Sequence, residues 1–147
     1  KRGLELFMEG YPEYVSFGKR VVDAVQDRGY VKTLLGRRRY LPEIHSQDRL
    51  LRWHAERVAR NTPVQGGTAD VMMLGMIKFY EAILAAGMVG TVKIVAQVHD
   101  DLVCETPLEV ASEWAKVLEH CLVTAYPLKV PLVAEAVVGT PWSTHKT

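Results

Sequence analysis

The hydrophobic pattern changes its period near residue 90, and this change limits the folds that the chain can adopt. Up to about Ala86, apolar residues recur at helical spacing over long stretches. From Thr91 to Val98, apolar and polar residues alternate, as in a half-buried strand. Long helices followed by paired strands predict an α+β fold, with an antiparallel sheet packed against long helices.

Glycine and proline divide the first part of the chain into short elements. We expect helices over residues 4–9 and 12–28, the second of which ends at Gly29. A hairpin should follow, with its two arms over residues 30–34 and 38–41. The N-terminal segment is therefore predicted to be mainly helical.

The stretch from Gln47 to Ala86 predicts two helices. Pro63 should interrupt it, because proline lacks the backbone N–H and disfavours helical geometry in the residue before it. The part after Pro63 is apolar nearly all round, so we expect it to be buried. Beyond the paired strands, we expect a helix over residues 107–125 and a third strand over residues 130–138.

Two adjacent aspartates, Asp100 and Asp101, follow His99 between two apolar strands. Two-residue hairpin turns usually contain glycine or asparagine, because both central residues need a positive φ. Adjacent carboxylates also repel each other, and a divalent cation such as Mg²⁺ would offset that repulsion. The turn is thus a candidate metal site on a rigid hairpin. A solvated acidic turn is the alternative that the residues alone leave open.

Positive charge is concentrated in the first part of the chain. Residues 1–60 contain 13 Lys and Arg against 8 Asp and Glu, which gives +5, whereas residues 61–147 contain 5 against 9, which gives −4. Residues 33–39 form the tip of the first predicted hairpin, and we call them the basic tip. They end in three consecutive arginines, residues 37–39. Such a tip suits phosphates, so Arg37 and Arg38 are candidate DNA-binding residues. A solvated charged face is the alternative.

Three hydrogen-bond donors, Arg57, Asn61 and Gln65, occur around Pro63. Arg57 and Asn61 lie four residues apart on one side of a helix, and Gln65 is expected on the far side of the proline bend. These side chains can donate to acceptors on nucleic acids. Taken alone, they could equally form an exposed polar face at a kinked helix.

Four sequence blocks resemble, in this order, successive blocks of A-family DNA polymerases, the DNA polymerase I family. The blocks are TLLGRRRYLPEI over residues 33–44, ERVARNTPVQG over 56–66, QVHDDLVCE over 97–105 and PLKVPLVAEAVVGTPW over 127–142. The resemblance covers nearly the whole chain and corresponds to the C-terminal part of the polymerase domain. It implies that about residues 1–45 are the end of the fingers region and about 46–147 belong to the palm region.

The resemblance implies template-directed DNA synthesis, in which a nucleotide passes from a dNTP to a primer 3′-hydroxyl by a two-metal mechanism. Asp100 would be the ligand of the catalytic Mg²⁺ ions. Asp101 would support it as a second catalytic residue, at a position where the family usually has glutamate. The shorter aspartate is a departure that weakens this second assignment.

The same resemblance implies that Arg57, Asn61, Gln65 and His99 contact the primer–template DNA near the primer end. Donors that face the minor groove suit this role, because purine N3 and pyrimidine O2 acceptors occur in every base pair. The chain departs from the family at Met73, where a lysine is common. We expect that departure to affect packing more than chemistry.

Two parts of the family's active site have no counterpart in this sequence. The second metal-binding aspartate and the helix that binds the incoming dNTP both belong upstream of Lys1. The chain, which does not begin with methionine, is therefore expected to be inactive alone and to belong to a larger or split polymerase. The missing upstream segment would be supplied in cis or in trans. The alternative is a non-catalytic, palm-derived module that binds primer–template DNA or a partner protein.

Several other classes of protein are disfavoured by the sequence. Its longest apolar run is interrupted by glycine and lysine, so no membrane span is expected. Its two cysteines, Cys104 and Cys121, lack the spacing of a disulfide framework or a zinc site. We expect a cytoplasmic protein that is associated with nucleic acid.

Overall fold

The structure of the chain is a computed structural model that describes residues 2–139, apart from the side chain of Leu4. The chain divides into two compact units, residues 1–70 and residues 71–147. One long helix contributes residues to both units.

The first unit contains helices and one hairpin. Its elements are α1 (Arg2–Gly10), α2 (Pro12–Arg28), β1 (Tyr30–Lys32), β2 (Arg38–Tyr40), a 3₁₀ helix (Pro42–His45) and the first part of α3 (Arg49–Ala85). Gly29 ends α2 with a φ of 77°, a left-handed conformation that favours glycine, and its N–H donates to the Val25 carbonyl at 2.7 Å. Val25, Ile44 and Ala59 are among the buried residues of the core that joins these elements.

The second unit has its own core. It contains the end of α3, the antiparallel strands β3 (Lys93–Val98) and β4 (Asp101–Glu105), and α4 (Leu108–Val123). Phe79 of α3 meets Trp114 of α4 edge to face, with ring centroids 5.9 Å apart. Ile83 and Leu118 complete the centre of this core.

The predicted helix break at Pro63 is wrong, because α3 runs without interruption from Arg49 to Ala85. Pro63 has no N–H to donate to the carbonyl of Ala59, but the turns on either side keep their helical course. The hydroxyl of Thr62 also donates to the Val58 carbonyl at 2.8 Å, within the same turn. Helical contacts on both sides therefore outweigh the loss of one hydrogen bond.

The expectation that the second half of α3 is buried all round is also wrong. Phe79 and Ile83 are each 1% exposed, but Ile77, Tyr80 and Leu84 are at least half exposed. Within the second unit, one face of the helix is therefore buried in the core, and the opposite face exposes apolar side chains.

The predicted third strand over residues 130–138 does not form within the described residues, where that segment is assigned no regular structure. A strand needs a partner for its backbone groups, and no ladder involves these residues. The segment nevertheless keeps its alternation, since Leu132, Ala134 and Ala136 are half-buried between exposed neighbours. The end of the fourth sequence block, residues 140–142, lies outside the described residues.

The fold class is confirmed as α+β. Both hairpins are antiparallel, but they form two separate two-stranded sheets among the described residues. None of the helices between residues 2 and 139 carries the long, weakly charged apolar stretch that a bilayer span needs.

Candidate functional site

The basic tip projects from a short hairpin in the first unit. Tyr30 pairs with Tyr40 and Lys32 with Arg38, so the intervening residues form the turn. Gly36 adopts a φ of 84° in that turn. All three arginines are exposed, as a phosphate-binding tip requires.

Arg38 lies against the tyrosine pair at the base of the hairpin. Its guanidinium carbon is 4.8 Å from the centre of the Tyr30 ring, and the Tyr30 and Tyr40 rings are 5.6 Å apart. A hydrogen bond with Tyr40, and then the charges of both tyrosines, raise the pKa of Arg38 above its ordinary value. The cation is thus permanent, and its guanidinium group lies against the Tyr30 ring.

Arg37 has partners within the chain. Its Nη2 atom is 2.8 Å from a carboxylate oxygen of Asp70 and 3.3 Å from the carbonyl oxygen of Gly66. The Arg37 side chain is still 54% exposed, so its other N–H groups remain accessible.

Arg57, Asn61 and Gln65 form one row on α3. Because the helix is continuous, residues four apart lie one above another, and all three side chains are exposed. The prediction that Gln65 lies on the far side of a bend is therefore wrong, because the helix does not bend into two at Pro63. Arg57 also lies over the ring of Trp53, one turn earlier, at 5.2 Å from its centre.

The basic tip and this row meet at an open cavity of about 260 Å³. It is lined by Thr33, Arg37, Arg38, Arg39, Thr62, Gln65 and Gly66. The structure thus brings together three of the candidates, Arg37, Arg38 and Gln65, which are up to 28 residues apart in the sequence. A larger cavity of about 360 Å³ in the second unit has a mainly apolar lining over residues 123–132 and contains none of the candidates.

The turn formed by His99, Asp100 and Asp101, which we call the acidic turn, lies in the second unit. Val98 pairs with Asp101, so the two-residue loop consists of His99 and Asp100, and Asp101 is the first residue of β4. His99 has a φ of 57°, and its carbonyl accepts a hydrogen bond from Gln97 Nε2 at 3.2 Å. A positive φ is uncommon for a residue other than glycine, although histidine adopts it more often than most residues do. The side chains of His99, Asp100 and Asp101 are all exposed.

The donors at this turn fit part of a magnesium site. Mg²⁺ binds oxygen ligands such as carboxylates, and Asp100 has an exposed carboxylate in the turn between β3 and β4. Between residues 2 and 139, no three His, Cys, Asp or Glu side chains lie close enough together to hold a metal ion.

Two residues near the candidate DNA-binding groups were not predicted from the sequence. Asp70 is only 1% exposed, although it is charged, and Trp53 is 56% exposed, although it is large and apolar. A carboxylate inside an otherwise apolar helical stretch could have indicated Asp70, because buried charges are paired. The four-residue spacing of Trp53 and Arg57 could have indicated their contact.

The whole chain is similar in sequence to DNA polymerases. The family model of DNA polymerase family A matches residues 1–144. A thermostable DNA polymerase I of Thermus filiformis is 39% identical over 139 residues, which are 95% of this chain and 16% of the relative. The DNA polymerase I of Caldicellulosiruptor bescii is 39% identical over 136 residues, or 92% of this chain and 16% of the relative.

The fold is similar to that of a solved polymerase. The POL domain of Pol1 from M. smegmatis, in complex with DNA primer–template and dNTP, matches with a TM-score of 0.82 and 39% identity. The match covers 88% of this chain and 22% of that chain. The chain spans less than a quarter of each of these proteins, and over that span it belongs to DNA polymerase family A.

Proposed function

We propose that this chain is the C-terminal part of a polymerase domain that carries out template-directed DNA synthesis. Residues 1–45 would be the end of the fingers region and residues 46–147 would belong to the palm. Primer–template DNA and dNTP would be its substrates, and an upstream polymerase segment would complete the enzyme in cis or in trans. We also propose that the protein acts in the cytoplasm, where Cys104 and Cys121 would remain free thiols.

The acidic turn is the observation that carries this proposal. An exposed carboxylate, Asp100, lies at the end of a two-stranded hairpin, next to a residue with a positive φ. A simple surface turn would be better served by glycine or asparagine. A strained backbone beside an exposed acid supports a functional reason for the sequence at this turn.

In the proposed reaction, the carboxylate of Asp100 would hold Mg²⁺, and Asp101 would support it from the start of β4. Bound magnesium ions would stabilise the negative charge on the attacking 3′-hydroxyl oxygen and on the leaving pyrophosphate oxygen. The hairpin's part is to hold the Asp100 carboxylate at a fixed place, because catalysis of phosphoryl transfer depends mainly on positioning and electrostatics. The second aspartate of a two-metal site would come from the upstream segment.

The first unit would bind the DNA. Arg57, Asn61 and Gln65 would donate to minor-groove acceptors near the primer end, together with His99 from the acidic turn. Arg37 and Arg38 would contact phosphates, where positive charge binds without regard to sequence. The continuous course of α3 supports this assignment, because it puts the three donors in one row.

A graft tests the proposal. The matching segment of the M. smegmatis Pol1 polymerase domain would be replaced by this chain, so that the upstream segments come from the relative. We expect the graft to extend a primer in a template-dependent and Mg²⁺-dependent manner.

The control is the same polymerase domain from which the matching segment has been deleted. A graft that binds primer–template DNA with normal affinity but adds no nucleotide would instead favour the non-catalytic module.

A further inference from the structure

Asp70 is a buried carboxylate that no step of the proposed reaction uses. It lies in α3, is 1% exposed, and accepts hydrogen bonds from the backbone N–H of Leu35 at 3.2 Å and from Arg37 Nη2 at 2.8 Å. Both donors belong to the basic tip. Because a buried charge is costly unless it is paired, these contacts hold the tip against the helix.

The electrostatics keep this carboxylate ionised. Burial alone would raise the pKa of Asp70, but hydrogen bonds from Thr33 and Leu35 and the charge of Arg37 hold that pKa below its ordinary value of 3.8. Thr33 Oγ1 is buried without a hydrogen bond of ordinary geometry. The contacts from Leu35 and Arg37 have ordinary hydrogen-bond distances, so these two groups stabilise the Asp70 charge most directly. The pair is ionic at neutral pH.

The packing of two glycines near Asp70 also shows that the basic tip lies close to α3. Gly66 lies one turn earlier on α3, and a Cβ atom there would come within 2.4 Å of the Thr33 side chain. A Cβ atom at Gly67 would lie 3.4 Å from that of Leu34. At Gly66, the basic tip therefore approaches α3 too closely for a side chain to fit without a shift of Thr33, whereas at Gly67 a Cβ atom would make ordinary contact.

The result is a division of roles among the arginines. The Nη2 atom of Arg37 is used within the chain, whereas Arg38 and Arg39 are exposed and line the cavity that they share with Gln65. We infer that Asp70 is a positioning residue for DNA binding: through Leu35 and Arg37, it fixes Arg38 and Arg39 beside Gln65. This inference rests on the proposed function of the tip as a phosphate-binding element.

Ordering of the tip before binding affects affinity. A long side chain that is already held in place loses less conformational freedom when it contacts a phosphate. The loss of Asp70 should therefore weaken DNA binding only as long as Arg38 and Arg39 are there to be positioned. A residue that served only the stability of the fold would not show this dependence.

The test removes the charge of Asp70 and keeps Arg37, which is itself a proposed phosphate contact. Asp70→Asn leaves no unpaired buried charge, because the Arg37 side chain is 54% exposed to solvent, so the chain should fold. It is made in the 147-residue chain and in a second background, Arg38→Gln/Arg39→Gln. The affinity of each protein for a primer–template duplex is measured well below its thermal unfolding midpoint.

In the unaltered background, we expect Asp70→Asn to weaken binding about tenfold, the scale for two long side chains that must be ordered on binding. In the Arg38→Gln/Arg39→Gln background, we expect less than about a twofold loss from Asp70→Asn, because the effects of the two sets of changes are coupled. Equal losses in both backgrounds, or no loss in either, would overturn the inference.

A second pair of variants tests the inference if Asp70→Asn does not fold. Gly66→Ala pushes the tip away from α3 without changing any charge, and Gly66→Ala/Thr33→Ser removes the methyl group that the new Cβ atom would meet. We expect the first to weaken duplex binding and the second to restore it. Unchanged binding by Gly66→Ala would also contradict the inference.

The two proposals fail in different ways. If Arg38→Gln/Arg39→Gln binds the duplex as well as the unaltered chain, the tip does not bind phosphates, and the proposed role of the tip fails. If that variant binds weakly but the Asp70 and Gly66 variants bind normally, only the positioning role is wrong.

Discussion

The candidate DNA-binding residues differ in charge, and this difference separates two kinds of contact. Arg38 is a permanent cation on the basic tip, whereas Asn61 and Gln65 are neutral amides on α3. A cation that neutralises a phosphate releases counterions, so its contribution depends strongly on salt. A neutral amide that donates to a base edge releases none. The salt dependence of binding therefore reports which contact each residue makes.

We predict that Asn61→Ala and Gln65→Ala weaken primer–template binding with little change in its salt dependence. Arg38→Gln should instead reduce the slope of log affinity against log salt concentration by about one unit. The measurement is duplex affinity over a series of salt concentrations. A reduced slope for Gln65→Ala, or an unchanged slope for Arg38→Gln, would mean that the two roles are assigned wrongly.

The thiol of Cys104 provides a separate test of the second unit. Burial within the hairpin raises the pKa of Cys104 from 9.0 to about 11. Only the thiolate reacts with alkylating agents, so at pH 8 labelling should be about a hundredfold slower than in the unfolded chain. The rate should rise with pH until the thiol is ionised, near pH 11. The measurement is alkylation of a Cys121→Ser variant, with the urea-unfolded protein as control, and equal rates in both states would contradict the burial of Cys104.

Single residues were predicted unevenly from the sequence. Asp100 could be proposed from the sequence because an acidic pair without glycine is unusual between two strands, and its metal-binding role stays a prediction. The contact between Asp70 and the basic tip was not, because it joins residues more than 30 positions apart and depends on tertiary packing. Asp70, Asn61 and Gln65 stay on one helix only because Pro63 does not end it.

Among the elements, α3 departs most from what its sequence predicts. Proline inside a helix removes one hydrogen bond and crowds the preceding turn, which usually costs about 3 kcal/mol. Here the helix continues through Pro63, and buried residues on both sides, such as Ala59 and Phe79, anchor it in the two cores. Local preference was therefore overridden by packing that the sequence pattern does not reveal.

We predict that Pro63→Ala raises the free energy of unfolding by about 1–3 kcal/mol, because it restores a donor for the Ala59 carbonyl and relieves crowding. Chemical denaturation of both proteins measures this difference. Lower stability of the variant would show that packing of the proline ring contributes more than the missing hydrogen bond. Thr62→Val is the matched control, because it removes the side-chain hydrogen bond to the Val58 carbonyl and leaves Pro63 in place.

The segment over residues 130–138 shows a different limit of sequence reasoning. Its alternating pattern predicts a strand, and the alternation of burial persists at Leu132, Ala134 and Ala136. Its backbone is not part of a ladder among the described residues, and Val133 is 90% exposed. An alternating pattern indicates which face can be buried, but strand formation also requires a partner.

At the scale of the whole molecule, the family assignment rests on nearly the full chain, whereas the proposed activity would require an upstream polymerase segment. The match to DNA polymerase family A extends over residues 1–144, but the chain corresponds to only 16% of the DNA polymerase I of Thermus filiformis. The proposed duplex-binding row lies in the first unit and the acidic turn in the second.

We predict that the isolated 147-residue chain incorporates no nucleotide, since a single metal-binding aspartate does not hold two ions in register. The assay is primer extension with the purified chain, after contaminating host polymerase has been removed with an affinity tag and a second column. Extension that depends on template and dNTP, and that copurifies with the chain, would contradict the proposed incompleteness of the site.

The most direct measurement is primer extension by the Pol1 graft that carries Asp100→Asn. The carboxylate is proposed to bind metal and not DNA, so the variant should bind primer–template DNA with nearly the affinity of the unaltered graft. Its extension rate should fall by at least about a hundredfold, the scale seen when a preorganised electrostatic group is lost from an active site. Asp101→Glu, which introduces the residue usual in the family, should remain active as the matched control. Extension by Asp100→Asn at the rate of the unaltered graft would contradict the catalytic role of the acidic turn.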